Sequence, residues 1–313
     1  IPPELIKHCG PRTKERIRSH FNQVLKTQRI PENWKTARIT LIYKKGDPAD
    51  LGNYRPITVA PQLYKIFMSI INARFRSAIE QHAVLLDEQG GCRPGRSTTD
   101  KAASLITKLT RRKAKGKKLY VAFFDMQKCF DSIDHAHINE TLRMMQVPPQ
   151  VLCLMRNIYD EGNRTTVSTA YGDTPTINVQ RGIRQGCPFS PTLLNLVLDP
   201  ILRELKRKHP TARLYAYVDD LAVVCDSPAQ VRNFCTDLKQ LWELAALMLG
   251  EDPNGCSKTA ILTDDDAMHP VVIPGPTSTT IPIVPRDKSY KYLGINIDPL
   301  LEWGPATKEI DNK

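Results

Sequence analysis

Two short apolar runs that end in carboxylates constrain this chain more than any other feature. The first, "KLYVAFF", runs from Lys118 to Phe124 into Asp125; the second, "LYAYV", runs from Leu214 to Val218 into Asp219 and Asp220, after which "LAVV" resumes. Apolar residues at consecutive positions predict a strand buried on both faces up to Asp125, and the second run predicts a hairpin with a doubled charge at its tip. If both belong to one sheet, Asp125 and Asp219, 94 residues apart in sequence, converge. Converging carboxylates repel unless a cation bridges them, and the cation suited to a few carboxylates plus substrate phosphates is Mg²⁺. Two such ions about 3.5–4 Å apart form the clamp used for in-line phosphoryl transfer. Taken alone, an Asp-Asp turn is weak evidence for this, because most such pairs are the solvated tips of ordinary hairpins.

The rest of the chain narrows the choice. Its 313 residues allow two or three subdomains. A formal net charge of +11 favours a polyanionic partner such as nucleic acid, although an unspecialised basic enzyme also fits. The eight cysteines stand singly, without a CxxC pair, and read as reduced thiols of an intracellular protein, nuclear or cytoplasmic rather than secreted. No run of about 18 apolar residues predicts a membrane span. The opening "IPPELIKHCG" lacks Met, as if cut from something longer. Nothing in the pattern predicts an oligomeric state.

Periodicity predicts helices around Ile17, Phe21, Val24 and Leu25, over Gln62 to Leu86, from about Asp134, over "SPTLLNLVLDPILRELKRK", and from Pro228 to Leu249. Strands are expected in "ARITLIYKKGD", "YRPITVAP", "RTTVSTAYG", "TINVQRGI" and "SKTAILT". The order suits an α+β sheet covered by helices on one face. The Pro- and Thr-rich segment from Asp264 to Asp287 reads as an irregular loop, and "TRRKAKGKK" as a basic tract that either steers a nucleic acid or merely solvates a loop. In "RGIRQGCPFSP", Gly182 and Gly186 are expected to permit close approach to a ligand, with Gln185 as a hydrogen-bonding group; a plain turn before a Pro-started helix is the alternative.

"FFDMQKCFDSIDH", "GIRQGCPFSPTLLNLVLD" and "AYVDDLAVV", in that order, resemble the blocks of reverse transcriptases, the middle one most of all those of the non-LTR (LINE-type) retrotransposon branch and its group II intron relatives. "TLIYKKGDPADLGNYRPITV" and "EQGGCRPGRSTTD" look like the fingers blocks of that branch, and "SKTAIL" and "YKYLGINID" like its last two. The resemblance covers about residues 30 to 298. It implies a right-hand polymerase fold with fingers and an antiparallel, ferredoxin/RRM-like palm sheet, the thumb largely missing. Residues 1–118 are then fingers and upstream blocks, 119–263 the palm, and 264–313 the loop, primer-grip hairpin and start of a truncated thumb. The implied partners are an RNA template, a DNA primer or target DNA, and dNTPs; the implied cofactor is a pair of Mg²⁺ ions, with Mn²⁺ as alternative.

Residue by residue, the resemblance makes Asp125 and Asp219 the metal-binding carboxylates, with Asp220 beside them, and Lys258 a proton donor to the leaving pyrophosphate. Lys44 and Arg55 match triphosphate-gripping positions, Phe130 the residue under the incoming sugar, and Gln185 with Gly186 the loop near the nascent base pair. Arg93 and Arg96 would touch template backbone; Tyr292, Leu293 and Gly294 would hold the primer end. Each also has an ordinary structural reading as a surface cation, core aromatic or plain turn. Val218 stands where the branch usually has Ala, Cys92 where it commonly has Phe, and "GEDPNGCSKTAIL" is lengthened before Lys258. Two further readings are a group II intron maturase-like polymerase and a nucleic-acid-binding relic without chemistry.

Overall fold

The computed structural model describes residues 2–160, 163–247, 249, 259–274 and 278–301. They form two units, each assembled from two separated stretches: Ile1–His82 with Phe130–Val197, and Ala83–Cys129 with the chain from Leu198 onward. The chain passes between the two units three times.

The first stretch contains α1 (Pro3–Lys7), α2 (Pro11–Thr27), α3 (Glu32–Lys35), β1 (Thr36–Tyr43), β2 (Tyr54–Val59) and α4 (Gln62–Gln81). Proline opens α2, where its missing N–H costs nothing, and Gln28 ends it in the left-handed region at φ 57°. The second stretch holds α5 (Thr98–Ala114) and β3 (Tyr120–Phe124). A reciprocal capping box between Ser97 and Asp100 starts α5. Next come α6 (Cys129–Ser132), α7 (His135–Met144), α8 (Pro149–Tyr159), β4 (Arg164–Thr169), β5 (Gly172–Asp173), β6 (Ile177–Asn178) and α9 (Ser190–Lys208). The last part carries β7 (Arg213–Tyr217), β8 (Asp220–Val224), α10 (Pro228–Leu244), β9 (Ala260–Thr263), β10 (Val271–Ile273), β11 (Thr279–Ile281), β12 (Tyr290–Tyr292) and β13 (Ile295–Ile297).

In the first unit the strand order is β2-β1-β4-β5, with β6 also on β4. β1 runs antiparallel to β2 but parallel to β4, starting from Thr36 opposite Arg164. The core beside this sheet is aromatic: Trp34, 2% exposed, lies edge-on to Phe21 and Tyr64 with centroids 6.1 and 6.0 Å away. Arg184 is buried against this cluster. It donates from Nη1 to Trp34 O at 2.8 Å and from Nη2 to Lys35 O at 2.7 Å, and accepts nothing in return because guanidinium has no acceptor.

In the second unit the order is β7-β8-β3-β9, every neighbour antiparallel. Every residue of β3 is buried. Because adjacent side chains of a strand point to opposite faces, such a strand needs cover on both. Val121, Phe123, Ala222 and Leu262 pack with Leu105 and Leu109 of α5 and with Tyr292 and Ile297 of the last hairpin. On the opposite face Phe124 meets Phe234 and Trp242 of α10 at 5.8 and 6.3 Å. Helix α5 thus packs on one face of β3 and helix α10 on the other. The segment expected to be an irregular loop contains the β10–β11 pair, and Val284 N–H and Ile261 N–H bond Ile261 O and Pro282 O at 2.8 Å each. Its three-residue strands bury alternate residues, a pattern too short to register as period-two. Among the described residues no helix is long and apolar enough to cross a membrane.

Candidate active site

The register of β3 and β8 positions the carboxylates. Phe124 pairs with Leu221, so the next residue, Asp125, faces Asp220 across the antiparallel pair. Tyr217 pairs with Asp220, which leaves Val218 and Asp219 as the two residues of the β7–β8 turn. Asp125 is half-buried and anchored through its N–H, which donates to Thr259 Oγ1 at 3.2 Å. Burial first, and then the charges of Asp220 and Asp125, hold the Tyr290 phenol above its usual range.

The turn is strained. Val218 has φ 57°, a left-handed conformation that a β-branched residue enters at a cost of about 1–3 kcal/mol and that two-residue hairpins ordinarily give to Gly. Such strain concentrates at functional sites. The donor set is all oxygen and hard. Among the described residues no three His, Cys, Asp or Glu gather into a self-contained metal cage. Carboxylate oxygens are the ligand type that hard divalent cations take.

Arg93 and Arg96 lie in the same unit but make protein contacts. Arg93, 7% exposed, donates from Nη1 to Leu86 O at 2.8 Å and Gln89 O at 3.0 Å, closing its own loop. Arg96 pairs with Asp87 at 2.6 Å and is part-exposed. Tyr292, 2% exposed, donates its hydroxyl to Tyr215 O at 3.0 Å, while Tyr290 stacks on Phe123 at 3.9 Å. Leu293 and Gly294, at φ 48° and 88°, form the β12–β13 turn, with Gly294 exposed at its tip. Lys258 lies outside the described residues.

The remaining expected residues belong to the first unit. Lys44 and Arg55 are exposed on the β1–β2 hairpin, where Lys44 N–H bonds Asn53 O at 2.8 Å. Gln185 is held from both ends: its O accepts from Thr58 N–H at 2.7 Å, and its Nε2 donates to both Asp131 carboxylate oxygens at 3.0 Å. Phe130 is half-buried, and its O accepts from Ile183 N–H at 2.6 Å. A cavity of about 220 Å³ is lined by Thr58, Asp131, Arg181 and Gln185 among others.

The two glycines permit close approach of protein backbone. A Cβ on Gly182 would meet Asp131 O at 2.9 Å, and one on Gly186 would meet Thr58 O at 2.8 Å, at φ 92° and 106°. Gly186→Ala is expected to cost about 1–3 kcal/mol, read as a lower urea midpoint at unchanged slope. Asp131, Arg184 and Gln89 are structural keystones that sequence reasoning did not single out. The one available signal was local: Gln89 precedes two glycines, as a residue does where backbones pack closely.

A four-stranded antiparallel sheet that presents carboxylates at the end of its central strand and at the tip of the adjoining hairpin defines the palm of a right-hand polymerase. The chain belongs to the reverse transcriptase family: the family profile described as "Reverse transcriptase (RNA-dependent DNA polymerase)" matches residues 42–297. It is similar to the retrovirus-related Pol polyprotein of the type-1 retrotransposable element R2 of Popillia japonica, 25% identical over 90% of this chain and 40% of that protein. A second relative is the probable RNA-directed DNA polymerase from transposon BS of Drosophila melanogaster, 26% identical over 92% of this chain and 32% of the relative. These are proteins of non-LTR retrotransposons, and the chain spans two fifths of their length or less. Among solved structures, telomerase from Candida tropicalis with a fragment of telomeric RNA shares the fold at TM-score 0.60 and 13% identity, over 92% of this chain and 47% of that one.

Proposed function

We propose that this chain carries the fingers and palm of an RNA-directed DNA polymerase that extends a primer 3′-hydroxyl with dNTPs along an RNA template. The observation that supports this best is the position of Asp125 at the end of β3, facing the β8 strand whose turn bears Asp219. Two bound Mg²⁺ ions, or Mn²⁺ in their place, would supply activation of the attacking hydroxyl and neutralisation of the leaving oxygen. Asp125 and Asp219 hold them in this reading, and the exposed Asp220 stands beside them.

The other residues position substrates. Lys44 and Arg55, both exposed, grip the triphosphate; charged hydrogen bonds suit phosphate. Gln185 and Gly186 lie against the nascent base pair, Arg96 against template backbone, and the turn of Leu293 and Gly294 against the primer end. In motif terms residues 1–118 supply the fingers, 119–263 the palm, and 264–313 the primer grip and the start of a thumb. The eight cysteines stand singly in the sequence, without a CxxC pair, a pattern that favours a reducing compartment, the nucleus or the cytoplasm.

Phe130 excludes the ribose 2′-hydroxyl by bulk. Phe130→Val is expected to lower the preference for dNTPs over rNTPs by about 10–100-fold, measured as the ratio of kcat/KM values on one primed template. The reading as a whole is tested by primer extension on a primed RNA template with Mg²⁺, dNTPs or rNTPs. Extension with dNTPs alone supports it. Salt-sensitive RNA binding with no extension by the chain in its full-length setting would make it a binding relic.

A further inference from the structure

The loop that follows α4 does more than connect. Its residues Glu88 to Gly90 pair with the free edge of β7: Gly90 N–H donates to Ala216 O at 2.8 Å, and Ala216 N–H donates to Glu88 O at 3.0 Å. Between these bonds Gln89 points inward and is 1% exposed. Its carboxamide grips a single residue, Val218, from both sides. Val218 N–H donates to Gln89 Oε1 at 2.8 Å, and Gln89 Nε2 donates to Val218 O at 3.1 Å. Gly91 N–H donates to the same Oε1 at 2.9 Å. The approach is so close that a Cβ on Gly91 would lie 2.4 Å from Val218 N.

Val218 is the strained residue, at φ 57°, and its carbonyl belongs to the same peptide plane as the N–H of Asp219. Holding that carbonyl fixes the plane from which the Asp219 side chain departs. The geometry points to Gln89 as a positioning residue for Asp219: its buried carboxamide holds the turn in a conformation that Val would not keep unaided, and so aims the carboxylate at the divalent ion. This rests on the reading of Asp219 as a metal ligand. Two features of the side chain matter. It must both donate and accept, and it must reach across one residue's N–H and O at once; Glu cannot donate when ionised, and Asn is one methylene shorter.

The test uses the full chain with Gln89→Glu, Gln89→Asn and Asp219→Ala. Mn²⁺ binding is followed by electron paramagnetic resonance, folding by thermal melting, and extension kinetics in parallel. Both Gln89 variants are expected to weaken Mn²⁺ binding and lower kcat by about 10–100-fold, the size of effect seen when a partner that orients a metal ligand is lost. KM for primer–template should stay within about twofold, because no primer or template contact has changed. Adding Val218→Gly, which adopts positive φ freely, should restore part of the Mn²⁺ affinity lost in Gln89→Glu. If Gln89→Glu and Gln89→Asn bind Mn²⁺ as the parent does, or lose folding and affinity in proportion, Gln89 is a core residue alone and the proposal is overturned. If Asp219→Ala itself leaves Mn²⁺ binding unchanged, the metal-ligand reading has failed first, and the positioning role falls with it.

Discussion

Asp219→Ala is expected to lower primer extension by at least about 10³-fold while leaving RNA affinity close to that of the parent protein. The size follows from losing electrostatic stabilisation at the reacting phosphorus, where removal of even one well-placed donor costs about 10²–10³-fold. RNA affinity should survive because it comes from cations meeting phosphates, and the chain carries 44 Lys and Arg against 33 Asp and Glu. Asp125→Ala should behave alike, since Asp125 faces the same turn from β3. Extension assays with filter binding at two salt concentrations separate the outcomes. Loss of binding together with extension would show that these carboxylates hold up the palm sheet rather than serve its chemistry.

Arg184→Met is expected to destabilise the chain by about 3–5 kcal/mol, seen as an early loss of structure in urea. Arg184 is 6% exposed, its Cζ lies 5.2 Å from the Tyr64 ring centroid, and its guanidinium serves Trp34 O, Lys35 O and Asn163 Oδ1. Removing it leaves three buried acceptors unpaired, each costing about 1–3 kcal/mol less whatever relaxation recovers. Lys should not rescue it, because an ammonium lacks the planar fork that reaches several acceptors at once. A variant as stable as the parent would mean that water replaces the guanidinium.

Strand positions were legible because β3, β7 and β8 are dense in apolar β-formers, and their ends coincide with charge. Asp134 could be read as a helix start, and it does cap α7 by accepting from Ala136 N–H at 2.7 Å. What sequence could not show is where long-range polar bonds go. Arg93 and Arg184 look like surface cations until the backbone carbonyls they serve fold around them. Gln89 looks like a loop residue until β7 passes beside it. Asp131, three residues before the helix cap Asp134, gave no hint that it would hold Gln185. The β10–β11 pair was hidden by Pro and Thr in strands of three residues. For Arg184, Gln89 and Asp131 the deciding interaction joins stretches far apart in sequence, and periodicity is silent on such pairings.

The interleaving of the two units has a consequence for synthesis on the ribosome. The parallel partner of β1 emerges late: Thr165, whose hydroxyl donates to Ala37 O, lies 128 residues downstream. At about 5–20 residues per second β1 waits roughly 6–25 s with one edge unpaired. During that interval all of α5 and β3, which belong to the other unit, are made. The first unit is therefore completed only after the opening stretch of the second has been made, and an unpaired edge strand in the nascent polypeptide is a target for chaperones and for aggregation alike.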